Sequence, residues 1–382
     1  MRYPINIASL SDIHLGHPRT PTDHIVRNLM AAFPFTKETA DLDVIFIAGD
    51  VFDRLLTVPD PAVYVIRAWI AALGELCARY DIVLRVLKGT PLHDRDQSKM
   101  FKEIFDLMKL DFDFKYVEHL QIEHIPRFDM TVLYIEDDRN YDPNDTWVEV
   151  KMLMANMGLE KVDFAVIHGH MEFHLPEVSH AKSPPHLSEN YRSIVRNLIF
   201  MGHIHTFSEV DRIVMHGSFD RLIHGEEEPK GHIRACVHSE GQYTVTFVEN
   251  KGALIYKRID VCGLDAAAVQ DKVREAVNQY PAGSYLEFQG KRGDALFVLA
   301  REFKRNYPDY VLTVATVKEK EDKPQNEHTP TPDELGEYVP MTFSEANVAA
   351  RLKEFMLGHG YDDLKIQACE VILNEQLAQN TF

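Results

Sequence analysis

The chain has 382 residues, of which 45% are hydrophobic, 10% aromatic and 26% charged, with 19 histidines and a formal net charge of −18. That balance excludes disordered and fibrous classes, and at roughly 150 residues per domain it points to two or three domains. The acidity argues against a general polyanion-binding surface; no stretch approaches the roughly 20 uninterrupted apolar residues of a membrane span, and MRYPINIASLSDIH lacks the apolar core of a secretion signal, so a cytoplasmic protein is expected.

From Met1 to about Val261, short β-rich runs alternate with helical stretches. INIASLSD, DVIFIAGD, IVLRVLKG, MTVLYIED, DFAVIHGH and NLIFMGHIH read as buried strands, each ending in Gly, Asp or His. Buried strands deliver polar side chains to the rim of a sheet in this way, and α/β enzymes place their sites there. Helices are predicted over DPAVYVIRAWIAALGELCARY, with Val63, Ile66, Ile70, Leu73 and Cys77 at helical spacing, and over SKMFKEIFDLMKL, with Met100, Ile104, Phe105 and Leu107 along one side. After HGSFDRLIHGEEEPKGH, the runs RACVHSEG and YTVTFVENKGALIYKRID alternate as strands and are expected to form a second sheet packed on the first. Residues 262–317 read as a small α+β module, with Val269, Val273, Val277 and Tyr280 on one helical face. Residues 318–340 are polar and aperiodic, which predicts a linker. Residues 341–382 restart as two amphipathic helices, the first with capping-box spacing at Thr342 and Glu345 and a stripe of Val348, Leu352, Phe355 and Met356. A stripe beyond a long linker has no obvious core to join and suggests a partner. Cys77, Cys236, Cys262 and Cys369 form no CxxC and read as buried thiols.

The strand-end signals, in order, are Asp12-x-His14, Gly49-Asp50-x-x-Asp53, Gly89 through His93-Asp94, His168 and Gly202-His203-x-His205. One D-x-H is a common turn, but five such signals in order supply what a two-metal phosphoester site requires: a bridging carboxylate with carboxylate and imidazole ligands on either side. His168 follows FAVI directly and is preferred over His170, which falls with His174, His180 and His186 in a polar loop whose histidines are expected to be mostly exposed.

These residues resemble the calcineurin-like metallophosphoesterase superfamily. Within it, SDIHLG, AGDVFDR, GHIHT and especially HGSFDRLIHGEEEPKG look like the SbcD branch, the nuclease subunit of the SbcC–SbcD double-strand-break repair complex and its phage counterparts. The resemblance covers the first two thirds most clearly. It implies an α/β fold of the α+β sandwich kind, a four-layer core of two packed sheets flanked by helices over residues 1–261, with a DNA-binding capping domain over 262–317 and a helical tail over 341–382. It also implies that Asp12, His14, Asp50 and His205 surround one divalent ion, and that Asp50, His168 and His203 hold a second, with Asp50 bridging. Mn2+ is favoured, with Mg2+ as an alternative.

In the family the third strand ends Gly-Asn-His-Asp, with the asparagine on the second metal and the histidine protonating the leaving oxygen. Here the sequence is Gly89-Thr90-Pro91-Leu92-His93-Asp94, without the asparagine. Two readings stand: His93 is the acid, with Thr90 or water at the vacant position, or His93 is itself a ligand. The acid role is preferred, because a phosphodiester leaving group benefits from a donor of near-neutral pKa. Asp53 joins His93 in the catalytic set, by orienting a ligand or by direct coordination. Thr90 and Arg221 are candidate substrate contacts, and Arg221 with Glu226 could alternatively be a structural ion pair. Lys291, Arg292, Lys304 and Arg305 belong to a basic cluster that serves as a candidate DNA track or as a solvated helix face.

The resulting expectation is a two-metal DNA exonuclease or endonuclease. It would be a homodimer through helices near 62–80 and 98–109, with the tail docked on an SbcC-like coiled-coil SMC ATPase, in the host cytoplasm if phage-encoded. A small-molecule phosphodiesterase or phosphomonoesterase, and a scaffold that has lost catalysis, are the rival readings.

Overall fold

The computed structural model describes residues 1–317, apart from 58–59, 138–141, 177–178 and 180–183, together with Lys353. The expected linker over 318–340 and the tail helices, with Cys369, lie outside the described residues.

The chain opens with β1 (Ile5–Leu10), α1 (Thr22–Ala32), α2 (Lys37–Ala40), β2 (Val44–Ala48), α3 (Pro61–Tyr80), β3 (Val83–Leu87), α4 (Pro91–Asp94), α5 (Lys99–Met108) and β4 (Phe114–Val117). It continues through β5 (Gln121–Ile125), β6 (Met130–Ile135), α6 (Pro143–Asn156), β7 (Phe164–His168), α7 (Ser188–Ile194), β8 (Ile199–Gly202), β9 (Ser208–Val210) and β10 (Ile213–Met215). Last come β11 (Gly231–Ser239), β12 (Gln242–Glu249), β13 (Tyr256–Asp260), α8 (Ala266–Gln279), β14 (Tyr285–Gly290), α9 (Ala295–Asn306) and β15 (Val311–Thr316).

Two six-stranded sheets, in orders β12-β11-β1-β2-β3-β4 and β5-β6-β7-β8-β10-β9, pack face to face. The alternation along β2 shows how. Val44, Phe46 and Ala48 point between the sheets and meet Tyr134, Phe164, Val166 and Phe200, while Ile45 and Ile47 point outward under α1, α3 and α5. On the far side, Leu133, Ile135, Ala165 and Ile167 pack under Val150, Met154 and Tyr191 of α6 and α7. A strand covered on both faces must be apolar at every position, which is why VIFIA reads as an unbroken run. The result is the helix–sheet–sheet–helix architecture that the family resemblance implied.

Three helices begin on an aspartate whose side chain caps the first turn: Asp60 accepts from Ala62 N, Asp142 from Asn144 N and Asp265 from Ala268 N. Pro follows at N1 in the first two, where its missing N–H has no partner to lose. By length and composition α3 could cross a bilayer, contrary to the sequence expectation that nothing approaches a span. Its Val63, Ile66, Trp69, Ile70, Leu73, Leu76 and Cys77 are buried in the core, so this is a core helix. In α5 the buried residues are Phe101, Ile104 and Phe105, and Leu107 is exposed, a shift of the expected stripe.

β11 and β12 do not make a separate sheet. They extend the first one antiparallel beside β1, and the second sheet is built from β5 to β10. β13, assigned by sequence to the core, instead pairs with β14, so the small module begins near Tyr256 and not at 262. Its sheet, β13-β14-β15, is wholly parallel, with α8 and α9 as crossovers, making it α/β where the sequence suggested α+β. The module rests on the core through Tyr285 Oη, which donates to Arg19 O, and through Tyr256, stacked on Tyr285 and 3.0 Å from Thr20 Oγ1. Cys77 is buried, whereas Cys236 and Cys262 are only half-buried.

Candidate metal centre

The parallel pairing of β1 with β2 persists past the strand ends. Asp12 N donates to Gly49 O, and Ile13 N and His14 N donate to Asp50 O, which sets Asp12 and His14 beside Asp50. Asp12, His14, Asp50 and His203 all have positive φ, between 49° and 103°. Such non-glycine conformations are uncommon and cluster at functional sites. Two glycines make the approach possible. A Cβ on Gly49, itself at φ 86°, would stand 2.4 Å from His168 Nδ1, and one on Gly89 would stand 2.1 Å from Asp50 N.

β2 packs across the sandwich from β7 and β8, which bring His168 and His203 from the second sheet. All six sequence-predicted ligands therefore converge. The candidate ligand atoms of Asp12, His14 and His205 lie within 4.8 Å of one another, as do those of Asp12, Asp50 and His168, of His14, Asp50 and His93, and of Asp137, His168 and His203. Asp12, Asp50 and His168 are almost wholly buried.

The donor set fits divalent cations, and the imidazoles give the clearest sign. His14 Nδ1 is 3.1 Å from Asp53 Oδ1, His168 Nδ1 is 2.7 Å from Ala48 O, and His205 Nδ1 is 2.6 Å from Glu226 Oε1. With Nδ1–H donated outward, Nε2 of each ring points inward, where its lone pair is free to bind a cation once no proton occupies it, the arrangement typical of metal-ligating histidine. His14 Nε2 and His205 Nε2 are 3.1 Å apart. Two lone pairs at that distance repel unless a proton or a cation lies between them.

The electrostatics agree. Burial alone would depress His168, but the Asp50 carboxylate, 3.4 Å away, outweighs it and pushes the ring up to about 10. Burial would raise Asp50, yet His168 and His14 hold it well below the usual carboxylate range. His14 is raised against its own burial by Asp53, Asp50 and Asp12. Carboxylates that capture protons on neighbouring imidazoles in the metal-free protein are the groups a divalent ion would neutralise instead.

A family model described as calcineurin-like phosphoesterase matches residues 5–207, more than half of the chain. The chain belongs to the calcineurin-like phosphoesterase family. This assigns it metal-dependent phosphoester hydrolysis as its general chemistry. Among solved structures, the phosphoesterase is similar to TT1561 of Thermus thermophilus at 11% identity, covering 64% of this chain and 99% of that one with a TM-score of 0.35. A second solved structure covers the same shares at 10% identity and a TM-score of 0.37. No curated protein matches.

The remaining sequence-predicted residues of this phosphoesterase divide into two groups. Asp53 sits behind His14, its Oδ1 3.1 Å from His14 Nδ1, the place from which a carboxylate orients a ligand. His93 lies with its ring 5.0 Å from that of His14 and its Nδ1 2.9 Å from Asp53 O. Thr90 N donates to Asp50 Oδ1 at 2.6 Å, and its hydroxyl touches Asp50, Asp137 and His168. Arg221, expected to touch substrate or to pair with Glu226, donates from its guanidinium to the carbonyls of Glu228, Ala253 and Leu254. Glu226 accepts instead from His205 and from Leu222 N.

Lys291 and Arg292 follow β14, before the start of α9, and Lys304 and Arg305 occupy the last turn of that helix. Twelve residues of helix span about 18 Å, so the four do not form one patch. Lys304 and Arg305 are placed to complement the helix dipole.

Three features escaped the sequence reading. Asp137, just past β6, joins His168 and His203; its signal was the acidic end of MTVLYIED, the same cue that flagged the other strands. Glu226, expected to pair with Arg221, orients His205 instead. His170 and His186 are buried, not exposed, with His170 stacked on His203 and His186 Nδ1 2.9 Å from Tyr191 Oη.

Proposed function

We propose that this phosphoesterase is a DNA nuclease working as the SbcD-like subunit of a complex with a coiled-coil SMC ATPase. The observation that carries the reading is the junction of HGSFDRLIHGEEEPKG with the ligand cluster, because Glu226 of that motif fixes His205. A motif that resembles one nuclease branch is thereby tied to the orientation of a candidate ligand.

Asp12, His14, Asp50 and His205 would hold one ion, and Asp50, His168 and His203 a second. Two such ions supply charge stabilisation at the phosphate and acidification of water when bound. Mn2+ suits the mixed imidazole and carboxylate donors, with Mg2+ the second choice. Asp53 and Glu226 hold His14 and His205 in the tautomer that leaves Nε2 free for ligation. His93, steadied at Nδ1 by the Asp53 carbonyl, hands a proton to the departing oxygen, a role worth on the order of 10²- to 10⁴-fold in rate. The net charge of −18 assigns much of the DNA grip to the partner, with the separated basic pairs of the small module adding local contacts. Homodimerisation through α3 and α5 is supported by the exposed apolar side chains of Tyr64 and Leu107. The tail over 341–382 is assigned to the ATPase.

The test is Asp50→Asn in the full chain with Mn2+ and linear duplex DNA. Cleavage should fall by orders of magnitude, and undiminished cleavage refutes the reading. A small chromogenic diester hydrolysed faster than DNA by the wild type would favour a small-molecule phosphodiesterase.

A further inference from the structure

The end of the cluster nearest His168 contains a carboxylate that the two-ion assignment above does not use. β6, β7 and β8 are adjacent and parallel, with Ile135 opposite Ile167 and His168 opposite Gly202. Their C-terminal ends therefore present Asp137, His168 and His203 side by side on one rim. Asp137 Oδ2 is 3.7 Å from His203 Nδ1, and the three residues have ligand atoms within 4.8 Å of one another.

Thr90 shows what this rim lacks without a cation. Its hydroxyl stands 3.2 Å from Asp50 Oδ2, 3.2 Å from Asp137 Oδ2 and 3.4 Å from His168 Nε2. A hydroxyl has one proton to donate. It can satisfy one of the two carboxylates at a time, and the other must find its positive partner elsewhere. A divalent ion held jointly by Asp50, Asp137, His168 and His203 removes that conflict and leaves the Thr90 proton for a single acceptor.

We infer that Asp137 is a direct ligand of the second cation, filling the place that Thr90 leaves vacant, and that the second site consequently carries one more negative charge than an amide ligand would give it. This rests on the two-ion reading proposed above. Asp137 comes from the second sheet and Thr90 from the first, so the ligand has changed sheets while the site has kept its place.

The experiment titrates the full-length wild type, Asp137→Ala and Asp137→Asn with Mn2+ alone, reading stoichiometry by calorimetry and ion proximity by electron paramagnetic resonance. Wild type should bind two ions and give the spectrum of an exchange-coupled pair. D137A should retain the first ion, bind the second at least about 10-fold more weakly and lose the coupled signal at one equivalent above the first; D137N, which keeps the side-chain shape, should weaken the second ion in the same direction. Two ions bound with unchanged affinity and coupling in wild type and both variants overturn the Asp137 assignment and leave the two-ion reading intact. Fewer than two ions on the wild type overturn both. Circular dichroism of each variant confirms that the loss is local, and D137N carries the test should D137A fail to fold.

Discussion

At the scale of single residues, the site is governed by which ring nitrogen points where. His205 Nε2 faces the cluster because Glu226 accepts the proton on Nδ1, and burial, which would raise the Glu226 carboxyl, is outweighed by His205 and Lys230, which keep it ionised. Glu226→Ala should therefore weaken Mn2+ binding by about 10- to 100-fold without unfolding the chain. A calorimetric titration reads this directly, and an affinity equal to that of wild type would show that Glu226 has no hold on the ligand. The residues that sequence made visible were those whose chemistry and strand-end position coincide, such as Asp12, Asp50 and His168. Asp137 carried the same cue but belonged to no expected ligand set. Arg221 looked functional by type, yet its hydrogen bonds go to three backbone carbonyls that no sequence pattern announces.

At the scale of elements, the two sheets are joined by more than apolar packing. Arg85 in β3 is almost fully buried and reaches β5, where its Nε and Nη2 donate to Glu123 Oε2 and Oε1 at 2.9 and 3.1 Å, with Asp113 on its other side at 2.7 Å. Burial would lower this guanidinium, and Glu123 is the main reason that it stays charged. Removing one partner of a buried pair leaves an uncompensated charge, at a cost of about 3–5 kcal/mol. Glu123→Ala should fall at about 3 kcal/mol because Asp113 remains, and a urea midpoint equal to that of wild type would contradict the assignment. The strand IVLRVLKG was legible from its apolar run, but the reason for an arginine inside it was not, since its partners are 28 and 38 residues away. Likewise β13 has the alternation of its neighbours β11 and β12, and only tertiary pairing sends it to the small module. The rims were readable because a strand's end is a local signal, whereas the sheet a strand joins is decided by distant residues.

At the scale of the whole molecule, histidine sets the acid limit of stability. Burial is the leading cause that lowers His174, His186 and His216 to about 4 and His232 to about 3, from an ordinary 6.5. A group whose folded pKa is depressed contributes stability that is complete above its unfolded value and drains as pH falls toward the folded one. His168 acts in the opposite sense: its contribution is full below 6.5 and is lost as pH rises toward about 10. His14 is raised as well, and burial pushes Asp94 up to about 7, so its contribution is lost as pH rises toward that value; the four lowered histidines outnumber it, and the metal-free protein loses stability as pH falls from 6.5 to about 4, with a further loss above neutrality from His168 and His14. Thermal midpoints across that range test this, and a midpoint that holds steady from about pH 7 to about pH 4.5 contradicts it. The acidic net charge was readable at once, and so was its tension with the proposed DNA substrate, but whether a histidine is buried is a property of the fold. The proposed chemistry depends above all on a pair of cations astride Asp50. Anomalous diffraction at the manganese edge, from crystals grown with Mn2+, should give two peaks about 3.5–4 Å apart, both within ligand distance of the Asp50 carboxylate; a single peak, or peaks that leave Asp50 untouched, would contradict it.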